Sequence, residues 1–137
     1  MTLSHTAALL LVAATLPAAA QTVCANIEVQ NVRPAQGPVM VAAYTSETSY
    51  NKQALTTRRQ PAGDAPVLTF ELCGLTGGEV ALMLYQDLDS DGKMGRNLIG
   101  LPIEPWGASG TPGMTGPKWD TTRVMLDGRT IVVRLSQ

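Results

Sequence analysis

The stretch that decides the fold is 79-EVALMLYQ-86, which has apolar residues at both parities of an extended chain. Successive side chains of a strand point to opposite faces, so a strand that is apolar at both parities is covered on both sides. We therefore expect this segment to be the central strand of a sheet. The turn before it contains Gly74, Gly77 and Gly78, which favour a sharp reversal of the chain.

Further segments on the N-terminal side of the central strand have the pattern of short strands. Apolar and polar residues alternate in 24–32 and again in 67–72, which is typical of strands with one buried face. Residues 39–44 are apolar on both faces, and the polar stretch 45–66 predicts a long loop with at most a short helix. In the segment 67–72, the inward-facing residues would be Leu68, Phe70 and Leu72.

Near the C-terminus, segments 123–126 and 130–135 predict a hairpin, because they are separated by Asp127-Gly128, a pair typical of tight hairpin turns. Thirteen glycines and nine prolines also indicate a turn-rich β protein. We therefore predict an all-β fold, a single antiparallel β-sandwich of about seven strands. It would include a long, irregular Gly/Pro-rich loop at 100–117.

The N-terminal segment 6–20, TAALLLVAATLPAAA, is almost wholly apolar and ends in three alanines. This pattern is typical of a secretory signal peptide. We therefore expect residues 1–20 to be a signal peptide, residues 21–137 to form the mature domain, and the protein to be periplasmic or secreted. A membrane anchor is the alternative, but the stretch is short for a span and no Lys or Arg flanks it. We expect no transmembrane segment in the mature chain, because no further apolar stretch is long enough.

Charge and histidine content exclude several function classes. Ten basic and eleven acidic residues are spread along the chain and give a formal net charge of −1, so nucleic acid is not an expected partner. The only histidine is His5, which lies in the predicted signal peptide. A mature chain without histidine has no Ser-His-Asp or Cys-His catalysis and no His-ligated zinc or copper. Catalysis by carboxylates alone remains open.

Cys24 and Cys73 each share the parity of the polar residues in their predicted strands. Buried structural thiols would take the apolar parity, and exported proteins fold in oxidising compartments. We therefore predict a disulfide between these two cysteines, with two free thiols as the alternative.

The central strand leads directly into 87-DLDSDG-92, in which three aspartates alternate and a glycine follows. Calcium binds six to eight oxygens, which alternate aspartates in a curled loop supply, while Gly92 permits the sharp turn that exposes the Lys93 carbonyl. This is the first half of a loop of the EF-hand type. The second half is missing, because Gly95 and Leu98 occupy the ninth and twelfth positions and a strand precedes the loop.

We therefore predict a weak calcium site whose ligands are Asp87, Asp89, Asp91 and the Lys93 carbonyl. Glu104 is the expected additional ligand, because it is the only acidic residue between Asp91 and Asp120. The alternative is an ordinary polar turn whose charge is neutralised by Lys93 and Arg96. Carboxylates about 5 Å apart repel by on the order of 3 kcal/mol per pair at an effective dielectric constant near 20, which favours calcium.

After the acidic loop come 100-GLPIEPWGAS-109 and 116-GPKW-119. The order of strand, acidic loop and these two motifs resembles the domain-of-unknown-function 2141 family of exported bacterial proteins. That family has an Asp-x-Asn/Asp-x-Asn/Asp-Gly-Lys loop, a Leu-Gly-x-Pro-x-Glu-x-x-Gly-x-Ser segment and a Gly-Pro-x-Phe motif. Trp119 replaces the phenylalanine, and Gly95 replaces an aspartate. The resemblance implies a transthyretin- or prealbumin-like sandwich and no established activity.

Three functions fit these residues. We expect a non-enzymatic binding or structural module with a calcium-binding loop and an unknown envelope or extracellular partner. One alternative is a hydrolase of an envelope polymer that uses Glu104 and Asp87 as its carboxylate pair. The other is an accessory subunit that packs against a membrane or surface partner. Trp106 and Trp119 are candidate ligand-binding residues, or else they fill the end of the sandwich beneath the loop.

Overall fold

Two β-sheets make up the fold of residues 14–136, the part of the chain that this computed structural model describes. In chain order the elements are β1 (Val23–Gln30), β2 (Val39–Tyr44), β3 (Thr56–Gln60), β4 (Val67–Leu75), β5 (Glu79–Gln86), β6 (Trp106–Ala108), α1 (Trp119–Thr122), β7 (Arg123–Met125) and β8 (Ile131–Arg134). The smaller sheet has the order β4-β1-β8 and the larger one β3-β2-β5-β6, with β7 also paired to β5. The predicted all-β sandwich is therefore confirmed.

The apolar core lies between the two sheets. Ile27 and Val29 of β1 are buried together with Val80, Leu82 and Leu84 of β5. Fully burying an aliphatic side chain of this size is worth about 1.5–3 kcal/mol, so this cluster is the main stabilising contact between the sheets. The predicted inward positions of β4 are confirmed. Leu72 is fully buried, and Leu68 and Phe70 are partly buried and pack against the core.

Strand β5 is the central strand of the larger sheet, as predicted. On one side it pairs with β2 along the register Val39↔Gln86 to Tyr44↔Ala81. On its other side, the first part of β5 pairs with β7 and the last part with β6. One edge of β5 therefore carries two short strands end to end, and segment 109–122 runs between them.

Two strands that the sequence pattern did not predict lie in the segments expected to be loops. Strand β3 lies in the stretch 45–66, and β6 lies in the Gly/Pro-rich loop 100–117. Both are short edge partners of strands with buried residues. Strand β3 has no buried residue, so backbone pairing with β2 keeps it extended. Strand β6 pairs with β5 and also buries Gly107 and Ala108.

The predicted C-terminal hairpin is wrong. Strand β7 pairs with β5 in the larger sheet, whereas β8 runs parallel to β1 in the smaller one. In the smaller sheet, Ile131 and Val133 of β8 enter the core. The smaller sheet is consequently mixed rather than wholly antiparallel.

The predicted disulfide between Cys24 and Cys73 is confirmed, and it joins the neighbouring strands β1 and β4. Both cysteines are exposed, as their polar parity indicated. They are 49 residues apart, and closing a loop of this length contributes about 4 kcal/mol in the chain-entropy account. The disulfide therefore fixes the start of the first strand of the sandwich.

The N-terminal prediction lies largely outside the described residues. The predicted signal peptide spans residues 1–20, and the description begins at residue 14. Residues 14–20 are exposed and have no regular secondary structure. Among residues 14–136, no helix has the length and apolar character needed to span a bilayer.

Candidate functional site

Gln86, the last residue of β5, fixes the point at which the acidic loop leaves the sheet. Its buried amide accepts a hydrogen bond from the N–H of Arg33 and donates one to the carbonyl oxygen of the same residue, both at 2.8 Å. The next N–H, that of Asp87, donates to the carbonyl oxygen of Pro38 at 2.9 Å. Gly37 lies so close that a Cβ atom there would overlap the carbonyl oxygen of Asp87. The acidic loop therefore starts from a rigid base.

The acidic loop, residues 87–95, curls around the carboxylate of Asp87. That side chain is only 1% exposed, and its two oxygens accept hydrogen bonds from the N–H groups of Asp91 at 3.1 Å and Gly92 at 2.9 Å. Ser90 and Gly92 both have positive φ angles, of 57° and 79°. The prediction that Gly92 permits a sharp turn is thus consistent with its left-handed backbone conformation.

Glu104 returns to the acidic loop from the segment before β6. It is 7% exposed, and its carboxylate accepts hydrogen bonds from the N–H groups of Leu88 and Gly95, both at 2.8 Å. The neighbouring N–H of Ile103 donates to the carbonyl oxygen of Gly95 at 2.9 Å. Glu104 therefore joins the two ends of the loop.

The carboxylates of Asp87, Asp89 and Glu104 form the acidic cluster, in which one oxygen of each lies within 4.8 Å of the others. Asp87 and Glu104 are buried and Asp89 is exposed. Three of the predicted ligands therefore come together. Asp91 is not part of this cluster, and its carboxylate accepts a hydrogen bond from the N–H of Lys93 at 2.8 Å. The Lys93 carbonyl as a ligand stays a prediction.

No basic side chain neutralises the acidic cluster among residues 14–136. The ion pairs there join Arg123 to Glu79 and Asp120, and Arg129 to Asp127. Arg96, predicted as a neutralising residue in the polar-turn alternative, instead donates from its guanidinium to the carbonyl oxygen of Gly100 at 2.8 Å. Arg96 is therefore directed elsewhere, and Lys93, the other cation of the polar-turn alternative, forms no ion pair within residues 14–136.

The uncompensated charge perturbs the titration of neighbouring groups. The N–H of Asp91 lowers the pKa of Asp89, but desolvation and the carboxylates of Asp87, Asp91 and Glu104 outweigh it, so that this pKa is raised overall. Burial raises the pKa of Tyr85, and the same four carboxylates raise it further. Both shifts report a negative potential at this end of the sandwich.

A cavity of about 660 Å³ lies against the larger sheet on the side away from the core. Its floor includes Met40, Met83 and Trp106. Parts of the acidic loop and residues 115–117 form its walls. Trp106 thus lines a concave surface, and its role as a ligand-binding residue stays a prediction. Trp119 instead contacts the ring of Tyr50 edge-on, with ring centroids 6.2 Å apart.

Comparison with known protein families matches residues 27–133 to DUF2141, described as uncharacterized proteins conserved in bacteria. The chain belongs to the DUF2141 family. This confirms the resemblance drawn from the acidic loop and the two motifs that follow it. Neither the curated proteins nor the solved structures contain a match to this chain.

Residues of the second DUF2141 motif, 100-GLPIEPWGAS-109, hold β6 in place at both of its ends. Glu104 anchors the start, as described above. Ser109 anchors the end: it is fully buried, accepts a hydrogen bond from the N–H of Leu82 at 2.8 Å and donates one to the carbonyl oxygen of Thr122 at 2.5 Å. Between them, a Cβ atom at Gly107 would lie 2.5 Å from the carbonyl oxygen of Arg134. Glu104, Gly107 and Ser109 of the motif thus fix the position of β6.

Sequence reasoning missed the structural roles of Gln86 and of Ser109, the last residue of the second motif. Gln86 is the only polar side chain between the apolar strand and the acidic loop, and a polar residue at the end of a buried strand is a signal for a structural amide. Ser109 has no comparable local signal, because its partners Leu82 and Thr122 are far from it in sequence.

Proposed function

We propose that this protein is an exported, non-enzymatic β-sandwich whose acidic loop binds calcium, and that it serves as a binding or structural module. The supporting observation is the acidic cluster, in which three carboxylates converge without a paired cation in residues 14–136. Asp87, Asp89 and Glu104 would be the main ligands. Asp91 and the Lys93 carbonyl would be further oxygen donors from the same loop.

The electrostatics of the acidic cluster support a bound cation. Three carboxylates at this separation repel by on the order of 3 kcal/mol per pair at an effective dielectric constant near 20. Burial of Asp87 and Glu104 adds a desolvation cost, which the backbone N–H groups offset only in part. A divalent cation would replace this repulsion by attraction, and calcium prefers the oxygen ligands that the cluster offers.

The remaining ligand positions support weak binding. Gly95 has no side-chain oxygen, and Leu98, which takes the place of a bidentate glutamate, is fully exposed. Water must therefore complete the coordination. Extracellular calcium modules bind in the range of about 0.1–1 mM, and we expect the same range here.

The position of the carboxylates supports a binding role over the hydrolase alternative. Asp87 and Glu104 are buried, and neither lines the 660 Å³ cavity. Their oxygens already accept backbone hydrogen bonds. A glycoside hydrolase needs its two carboxylates on either side of a bound sugar, and this pair is not open to a polymer.

The disulfide and the N-terminal segment support export. Disulfides persist in oxidising compartments, and both cysteines here are exposed. The mass of the intact protein from its bacterial host should correspond to a chain that begins at Gln21. A mass that includes His5 would contradict the proposed cleavage.

Titration calorimetry with calcium tests the proposed site. The wild-type protein should bind calcium with a Kd of about 0.1–1 mM. Asp89→Asn should weaken binding at least about tenfold, because it removes a charged ligand without disturbing a buried group. Calcium at about ten times Kd should add about 1.4 kcal/mol to the free energy of unfolding of the wild type.

Asp127→Asn is the matched control, since Asp127 lies in a second exposed turn and is paired with Arg129. Its calcium binding should equal that of the wild type. Absence of binding heat and of any melting shift at millimolar calcium would contradict the proposal. Equal loss of binding in Asp127→Asn and Asp89→Asn would indicate nonspecific screening instead of a site.

A further inference from the structure

The floor of the 660 Å³ cavity contains a row of large side chains on the outer face of the larger sheet. Tyr85 of β5 pairs with Met40 of β2 on one side and with Trp106 of β6 on the other. Directly paired residues project from the same face of a sheet, so these three side chains lie next to one another. Met83, two residues before Tyr85, lies on the same face and also lines the cavity. The floor therefore presents aromatic rings and thioethers.

The walls of the cavity are held by hydrogen bonds of the protein itself. The Tyr50 hydroxyl donates to the sulfur atom of Met83 at 3.3 Å, which ties the loop before β3 to the floor. Arg96, in the wall that follows the acidic loop, donates to the carbonyl oxygen of Gly100 at 2.8 Å. In the segment 113–116, the N–H of the last residue donates to the carbonyl oxygen of the first at 3.1 Å. Walls held in this way reduce the cost of ordering the site when a ligand binds.

The size of the cavity and its position on the sheet indicate a small molecule as the ligand. Sites for small organic ligands have volumes of about 300–1,000 Å³ and are lined mainly by apolar and aromatic side chains. An extended peptide, by contrast, gains its affinity by pairing with a free sheet edge. The floor lies on the face of β2 and β5, and each of these strands has a partner on both of its edges. A small organic ligand therefore fits this cavity better than an extended peptide does.

The charges around the cavity disfavour an ionic ligand of either sign. Among the described residues that line it, Arg96 is the only one with a charged side chain. An anion would meet this one cation, but the three aspartates of the acidic loop and Glu104 outnumber Arg96 and Lys93 at this end of the sandwich. A cation would meet Arg96 and no carboxylate in the lining. Because burying an unpaired charge is costly, the cavity favours an uncharged ligand.

We propose that this cavity binds an uncharged aromatic small molecule, whose ring packs against Trp106 and Tyr85 and contacts the sulfur atoms of Met40 and Met83. Aromatic rings and thioether sulfur atoms both make favourable contacts with another ring, which is why an aromatic ligand suits this floor. The inference goes beyond the proposed calcium site and does not depend on it. None of the carboxylates of the acidic cluster lines the cavity.

Fluorescence of N-phenylnaphthylamine, an uncharged aromatic probe, tests the inference on the purified protein in chelator. The wild type should bind the probe saturably, with a rise in its fluorescence. Naphthalenemethanol, naphthoate and naphthylmethylammonium then compete with the bound probe, since they share one ring system but are uncharged, anionic and cationic. The uncharged competitor should displace the probe at a concentration about tenfold lower than either charged one, because a charge loses its hydration in the cavity.

Met40→Lys places a charge in the floor and should weaken probe binding about tenfold. Met125→Lys is the matched control, because Met125 is half-exposed on β7 and does not line this cavity; it should bind like the wild type. Met94→Ser removes an apolar side chain from a wall, leaves the sheet unchanged and should weaken binding about threefold. Thermal unfolding shows which variants are folded, and Met94→Ser decides if Met40→Lys is not.

Absence of probe binding by the wild type in chelator would overturn the inference, whatever the calcium titration shows. Unchanged affinity in either folded cavity variant would also overturn it, as would an equal loss in Met125→Lys. Stronger displacement by naphthoate or naphthylmethylammonium than by naphthalenemethanol would contradict the uncharged class of ligand.

Discussion

The two ends of β6 are anchored by buried polar side chains of different kinds. At one end, the Glu104 carboxylate accepts two backbone N–H groups but lies beside two other carboxylates. At the other end, the Ser109 hydroxyl accepts one backbone N–H and donates to one carbonyl oxygen, with no charge involved. The neutral anchor has both of its hydrogen-bond partners, whereas the charged anchor is the part that would bind the proposed cation. In the proposed function, stability and ligand binding are thus separated along one short strand.

Gly107, between the two anchors, should give the largest loss of stability. Gly107→Ala places a Cβ atom 2.5 Å from the carbonyl oxygen of Arg134 and 3.0 Å from a methyl group of Val133, so β8 must shift. We expect a loss of about 3 kcal/mol, at the upper end for overpacking, in urea unfolding. Gly113→Ala is the matched control, because a Cβ atom there has no neighbour within 4 Å. Equal stability of the two variants would refute the close approach of β6 and β8.

Removal of the neutral anchor should have an intermediate effect that does not depend on calcium. Ser109→Ala leaves the buried N–H of Leu82 and the carbonyl oxygen of Thr122 without this partner, which costs about 2 kcal/mol. The loss in urea unfolding should be the same with calcium and with chelator. Glu104→Gln, at the charged anchor, should instead remove most of the calcium stabilisation. A calcium-dependent loss in Ser109→Ala would show that the two ends are coupled rather than separate.

The same contrast shows which parts of the molecule are predictable from sequence. Strand β5 and the inward residues of β4 were predicted because their burial leaves a periodic apolar pattern. Strand β3, TTRRQ, has no such pattern, because its residues are not buried. Backbone pairing with β2 keeps it extended, and its own sequence does not record that pairing. The Asp127-Gly128 signal predicted a hairpin, but partners distant in sequence determine where β7 and β8 pair. In the site, the alternate aspartates mark the acidic loop, and Glu104 follows as the only acidic residue between Asp91 and Asp120. Nothing near Ser109 in sequence indicates Leu82 or Thr122 as its partners.

The smallest effect should come from a carboxylate that has its own cation. The Asp127 carboxylate lies 2.6 Å from the guanidinium of Arg129, and both side chains reach solvent. The side-chain hydrogen bond from Arg129, followed by its N–H, lowers the pKa of Asp127. A lowered folded-state pKa contributes stability that is present above the unfolded-state pKa of about 3.9 and is lost as the pH falls through the folded-state value.

Asp127→Asn should therefore destabilise the protein slightly at pH 7, and the difference from wild type should vanish in strong acid. Asp89→Asn in chelator should have the opposite sign at pH 7, because it removes a repelling charge from the acidic cluster. Thermal unfolding of both variants beside the wild type at pH 7 measures the two signs. If Asp89→Asn also destabilises in chelator, the repulsion at the charged anchor is already compensated without calcium, and the difference between the two ends of β6 reduces to hydrogen bonding alone.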